Sequence, residues 1–183
     1  AMGIAASPAQ AQSGSAGKFP ERPIRLVVGF PPGGATDILA RILQQHMPES
    51  IGQPVVVDNR GGASGTIAAA MVAKAPPDGY TIMMVPSGPV TISVSTYKNL
   101  PYDAVRDFKG VSLLAWVTNV IVVPQASPVK TLQDIIRLAK EKPGQATFSS
   151  SGAGSLHHLA GEVLKGLTGT QMIHVPFKGA GPA

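Results

Sequence analysis

The chain contains no cysteine. That excludes disulfide bridges, thiolate metal sites and a cysteine nucleophile. Aromatic residues make up only 5% of it and charged residues 14%. A surface for single-stranded nucleic acid needs stacking rings beside a dense basic groove, and the sequence offers neither. The 15 Lys and Arg exceed the 10 Asp and Glu, for a formal net charge of +5, but no basic run of five or more gathers them. The balance suits a weak pull on small anions and no nucleic-acid partner. No run of about 18 apolar residues is present, so no segment reads as a spanning helix.

What the chain has in quantity is turn formers: 21 glycines and 17 prolines in 183 residues, within a 44% hydrophobic sequence. That composition predicts a folded chain of many short elements joined by tight turns. The first 18 residues, "AMGIAASPAQAQSGSAGK", stand apart as small, polar and free of aromatics. Ala9-Gln10-Ala11 matches the A-x-A pattern of a signal-peptidase site. Residues 1–18 read as the tail of a trimmed export signal or as a disordered leader.

From Pro23 the pattern becomes regular. "IRLVVGF" (Ile24–Phe30) predicts a strand. In "ATDILARILQQHM" the pairs Ile38/Ile42 and Leu39/Leu43 are four apart, which predicts a helix that Pro48 and Gly52 end. "PVVVD" and "YTIMMV" predict further strands, with the small-residue helix "TIAAAMVAKA" between them. Strand, glycine-rich turn and helix in alternation predict βαβ units and a mainly parallel sheet. "VSLLAWVTNVIVVP" (Val111–Pro124) reads as one bent strand or two. "TLQDIIRLAKEKPG" predicts a helix capped by Thr131, with Leu132, Ile135, Ile136 and Ala139 on one face. "ATFSSSG", "LHHLAGEVLKGLTG" and "QMIHVPF" predict strand, helix and strand.

Three strand–glycine-loop–helix junctions follow Phe30, Asp58 and Ser149. The first turn of a helix leaves backbone N–H groups unpaired at the positive end of the helix dipole. Glycine lets a ligand approach that backbone closely, so such a junction can hold a carboxylate or phosphate. In open α/β sheets, ligands bind at the carboxyl ends of the strands, where all three loops are predicted to lie. Most glycine-rich turns merely connect elements, and only the repetition raises these above that reading.

The sharper catalytic signatures fail. "GEVLKGLTG" spaces two glycines like a phosphate loop but has Leu167 where the lysine belongs. Dinucleotide fingerprint and nucleophile elbow are both absent. His157 and His158 are adjacent and point about 100° apart around a helix, so they are poor joint metal ligands. His158 and Glu162 are spaced as a helix salt pair. His46 lies near a helix end, and His174 sits in a strand and reads as packed. Asp37 has no second carboxylate to partner it and reads as a helix cap. A rival enzyme reading, a serine hydrolase or transferase, would use Ser155 with His158.

Taken together, four motifs in order resemble the periplasmic solute-binding receptors of tripartite tricarboxylate transporters, the Bug family of Gram-negative bacteria. They are the PPGG-xx-D loop in "FPERPIRLVVGFPPGGATDILAR", the N-R-x-G-x-x-G loop with a later P-D-G-Y, the S-G-x-G-S-x-x-H loop in "SSSGAGSLHHLAGEVLK", and "HVPFKGAGPA". The resemblance runs from about Phe19 to the end. It implies a periplasmic-binding-protein-like α/β fold of two lobes with mainly parallel sheets, over 19–110 and 111–183. The implied ligand is a small organic carboxylate: a di- or tricarboxylate, an acidic amino acid or an aromatic acid. It would be handed to the membrane subunits of a tripartite transporter without chemistry, cofactor or metal. The implied ligand-binding residues are Phe30, Pro32, Gly33, Gly34 and Asp37 in the first loop, and Gly62, Ser64 and Gly65 in the second. Ser87 lines the cleft, and the second lobe contributes Ser150, Ser151, Gly154, Ser155 and His158. Family members are typically much longer, so a fragment with an incomplete second lobe is expected.

Overall fold

The computed structural model describes residues 19–183, so the reading of 1–18 as a leader falls outside the described residues. Strand β1 (Ile24–Val28) is the centre of a parallel three-stranded sheet. It pairs with β2 (Val55–Asn59) on one side and β3 (Thr81–Met84) on the other. Being central and covered on both faces, β1 is an almost continuous apolar run, as a buried parallel strand requires. Leu26 and Val28 form a core with Ala40, Val55 and Met84 on the face of helix α1 (Ala35–Ile51). The opposite face meets helix α2 (Thr66–Ala73), where Ala68 and Ala69 are fully buried. The strand order β2-β1-β3 places a topological switch beside β1, so the loops at its carboxyl end open into a crevice.

Two details of α1 differ from expectation. Leu39, Leu43, Met47 and Ile51 pack on the core, but Ile38 and Ile42 are about half exposed. Both rows have helical spacing, and only packing against the sheet selects one. Pro48 also fails to stop the helix. It lies within the last turn, where its missing N–H removes a single bond, and Ile51 beyond it still reaches the core. The stop is Gly52, in the left-handed conformation at φ 72°, whose N–H bonds the Pro48 carbonyl.

After β3 the chain makes a π-helical turn over Gly88–Ile92 and the short helix α3 (Ser93–Thr96). Tyr102 is buried beneath it, donating to the Pro89 carbonyl at 2.6 Å. Helix α4 (Leu132–Glu141) carries the expected Thr131 cap, completed by Asp134 as a capping box. A second parallel sheet pairs β4 (Thr147–Ser150) with β5 (Ile173–Pro176), and helix α5 (Leu156–Thr168) crosses between them.

Val111–Pro124 departs from the expected strand. It takes no regular structure, and Val111, Trp116 and Val122 are each more than 80% exposed. Strand-like composition needs a neighbouring strand to hydrogen-bond with, and none is paired to it among the described residues. Trp116 is the sole tryptophan of the chain. Its emission should therefore resemble that of free tryptophan and be quenched freely by iodide; a blue-shifted, protected signal would show this segment to be covered.

Candidate functional site

The loop after β1 is organised by one carboxylate. Asp37 is 2% exposed and sits in the first turn of α1. One oxygen accepts the Gly33 N–H at 2.9 Å and Arg41 Nε at 3.0 Å, and the other accepts Asn59 Nδ2 at 2.9 Å. Asn59 also donates to the Phe30 carbonyl at 3.0 Å, so the end of β2 is tied to the same loop. Burial alone would raise the Asp37 pKa. The Gly33 N–H, Arg41 and Asn59 outweigh it and hold the carboxyl below its ordinary value of 3.8. The expected capping role is not what Asp37 does: it lies inside the first turn of α1 and accepts the Gly33 N–H ahead of the helix, while the N-cap position is Gly34, with no side-chain bond.

This corrects the reason given for Gly33. Its amide is taken by Asp37, and a Cβ added there would meet nothing within 4 Å. Glycine is needed at this position for its φ of +90°, where a side chain is strained, rather than for close approach of a ligand. The Ala35 and Thr36 amides beyond it take no acceptor among the described residues and keep the donor character of a helix start.

The second loop, after β2, turns sharply. Ala63 (φ 45°) and Ser64 (φ 53°) are both left-handed without being glycine. Ser64 Oγ donates to the Ala153 carbonyl at 2.5 Å, a bond that crosses to the loop after β4. The facing Gly152 has room only for hydrogen: a Cβ there would lie 2.8 Å from Ser64 Oγ.

Between these loops lies a cavity of about 210 Å³. The first sheet's loops supply Phe30, Pro31, Gly62, Ala63 and Ser64. The second sheet's side supplies Ser151, Gly152, Ala153, Pro176, Phe177 and Lys178. Of the expected site residues, Phe30, Gly62, Ser64 and Ser151 are brought together here. Pro32, Gly33, Gly34, Asp37 and Gly65 belong to the two first-lobe loops but do not line the cavity, and Ser87 is exposed at the start of the π-helical turn. Lys178, Phe177 and Pro31 were not singled out from sequence, although all three stand inside quoted motifs; a lone lysine after a strand carries no pattern until the fold sets it at the edge of the cavity.

Ser150, Gly154, Ser155 and His158 support the second-lobe loop from behind. Ser155 caps α5 by accepting the His158 N–H at 3.3 Å. His158 Nδ1 accepts the Gly154 N–H at 3.2 Å, which fixes the tautomer with hydrogen on Nε2, 3.8 Å from Glu162. The His158 ring stacks on His174 at 3.9 Å, and His174 stacks on Phe148 and pairs with Ser150 Oγ at 2.6 Å. No bond joins Ser155 Oγ to the His158 ring among the described residues, so the arrangement lacks the nucleophile–base contact of the hydrolase reading. The hydroxyl–imidazole pairs present are Ser151–His157 at 2.8 Å and Ser150–His174, and neither ring takes a carboxylate partner among the described residues. No cluster of three metal-ligating side chains occurs among them.

Comparison with known proteins places this geometry. The family profile described as "Tripartite tricarboxylate transporter family receptor" matches residues 39–183. The chain belongs to that family. Among its curated relatives, the "UPF0065 protein in tcbD-tcbE intergenic region" of Pseudomonas sp. (strain P51) is 45% identical over 90% of the chain and 49% of its own length. Protein BugT of Bordetella pertussis is 39% identical over 92% of the chain and 52% of its own. Two similar solved structures are Rpa4515 of R. palustris with adipate (TM-score 0.86, 40% identity) and MatC of Rhodopseudomonas palustris with bound malate (TM-score 0.78, 31% identity). Each is covered over 90% of this chain, and over 55% and 56% of its own. The chain spans about half the length of the curated relatives it matches. The fold is thus periplasmic-binding-protein-like, with two parallel sheets facing a cleft. No helix among the described residues is long and apolar enough to cross a membrane.

Two outcomes follow from the charges. Asp37→Asn removes a charge from three donors, and hydrogen bonds to a charged group are worth about 1.5–3 kcal/mol. Urea unfolding of this variant should show a loss of about 2 kcal/mol; an unchanged midpoint would mean the loop does not depend on the carboxylate. Burial, and then the neighbouring His158, hold His174 below its ordinary 6.5. The unfolded chain then binds the extra proton first, so stability is full above about pH 6.5 and falls as pH drops through the folded value. His174→Gln should flatten this loss between pH 7 and 5 in thermal unfolding, and an unaltered slope would assign it elsewhere.

Proposed function

We propose that this receptor captures a small organic carboxylate in the cleft between its two sheets and presents it to the membrane subunits of a tripartite tricarboxylate transporter. The observation that carries the reading is the cavity itself. Its walls are two aromatic rings, two prolines and backbone from glycine-rich loops, and Lys178 is its only charged lining residue among the described residues. Such a site offers an anion one cation, nearby helix-start amides and an apolar enclosure. Related structures hold adipate and malate, both carboxylates.

The proposed binding residues are Phe30, Gly62, Ser64 and Ser151, with Lys178 added to them. Gly33, Gly34, Asp37, Gly65, Ser150, Gly154, Ser155 and His158 hold the loops in position. The Ser64–Ala153 bond gives the closed arrangement a direct lobe-to-lobe contact, of the kind that reports a loaded cleft to a partner. The family and a similar solved structure, that of a periplasmic transporter, support placement in the periplasm of a Gram-negative bacterium. No step of chemistry on the ligand and no nucleic-acid partner belongs to this reading.

A thermal-shift screen of organic acids tests it. A ligand at a hundred times its Kd should stabilise the protein by about 2.7 kcal/mol, so one or more carboxylates should raise the melting temperature and their amides should not. A flat screen confirmed by calorimetry would overturn the proposal.

A further inference from the structure

We infer that Tyr97 sets the balance between the open and the closed cleft, as the aromatic member of a seam in which the chain's own groups hold the two sides together. Around the cavity, three buried glycines from the second sheet's loops each seat against a bulkier group of the first sheet's side. A Cβ added at Gly152 would lie 2.8 Å from Ser64 Oγ, one at Gly154 3.1 Å from Tyr97 Cε2, and one at Gly179 3.2 Å from Pro31 Cδ. Carbon atoms settle about 3.5–4.0 Å apart, so the Gly154 and Gly179 contacts, like that of Gly152, leave no room for a side chain. The two sides meet as complementary surfaces, and the Ser64–Ala153 bond lies among these contacts.

Tyr97 belongs to the first side. It follows α3, its N–H bonds the Ser93 carbonyl at 3.0 Å, and its hydroxyl lies 3.4 Å from the Ala63 carbonyl. That carbonyl already accepts Thr66 Oγ1 at 2.9 Å, so the long contact from Tyr97 adds little, and the ring is what meets Gly154. The attraction between a ring edge and bare backbone vanishes once the sides part, because dispersion acts only at contact. Tyr97 does not line the cavity. Phe30, Gly62 and Ser64 stand opposite Ser151 and Phe177 only while the seam is shut. Apparent affinity then scales with the fraction of molecules closed, by one factor for every ligand. Tyr97 is thus a positioning residue with no preference among acids. Its link to affinity rests on the carboxylate-receptor reading above; the seam itself does not.

The lack of cysteine lets one pair of labels report the seam. Gln45→Cys on α1 and Leu167→Cys on α5 place nitroxides at exposed positions away from it, and electron–electron double resonance reads their separation. Tyr97→Ala should move the distance distribution away from that of the parent, and Tyr97→Phe should leave it in place. In calorimetric titration, Tyr97→Ala should weaken adipate and malate by the same factor, about fivefold, while Tyr97→Phe stays close to the parent. Tyr97→Leu carries the same expectation and replaces the alanine variant if melting shows that one to be unfolded. Unchanged distances in the alanine and leucine variants overturn the inference. So does weakening of one acid alone, which would make Tyr97 a ligand contact. Failure of every organic acid to bind removes the receptor reading, while the label distances still decide the seam.

Discussion

One buried carboxylate carries the geometry of the cleft. Asp37 joins three pieces of chain that are distant in sequence or in conformation: the Pro-Pro-Gly-Gly loop through the Gly33 N–H, the second turn of α1 through Arg41, and the end of β2 through Asn59. A charge so enclosed is tolerable only when its oxygens are fully engaged, and these are. Because Asn59 reaches the Phe30 carbonyl as well, the ring that walls the cavity is positioned by the same set of bonds. The carboxylate ties the loop to α1 and β2, and Phe30 is held through the same bonds.

Opposite this wall the structure accepts strain. Left-handed backbone at a non-glycine residue costs of order 1–2 kcal/mol, and Ala63 and Ser64 both adopt it at the cavity edge. The conformation aims Ser64 Oγ across at Ala153, and the bare Gly152 lets the two loops close to contact. Strain concentrated where two lobes meet is a familiar mark of a functional hinge or clamp. The second-lobe loop is braced differently, by imidazoles. The stack of His158, His174 and Phe148 backs the Ser150–Ser155 turn, and His158 accepts the Gly154 amide in its neutral tautomer.

Much of this was readable in the order of residues, and the failures have physical causes. The βαβ alternation, the Gly52 stop, the Thr131 cap and the three glycine-rich junctions all followed from local rules: periodicity, capping chemistry and the φ that glycine alone takes easily. Pro48 misled because a proline in the last turn forfeits one bond, and the contact of Ile51 with the core outweighs it. Ile38 and Ile42 misled because helical spacing marks a stripe without saying which stripe the sheet covers. Val111–Pro124 misled because strand propensity is a preference for pairing, and among the described residues no strand pairs with it.

The linear sequence determined most of the helices and strands, the parallel layout and the family, because each rests on neighbours within a turn or two and on motifs that keep their order. Only the tertiary structure decided which loop residues face the cavity. Lys178 and Phe177 become lining groups because β5 lies beside β4 in register, and the Gly33 amide drops out because a carboxylate four residues on folds back to claim it. Those outcomes depend on direction in space, which side-chain identity and spacing do not encode until the sheets are assembled.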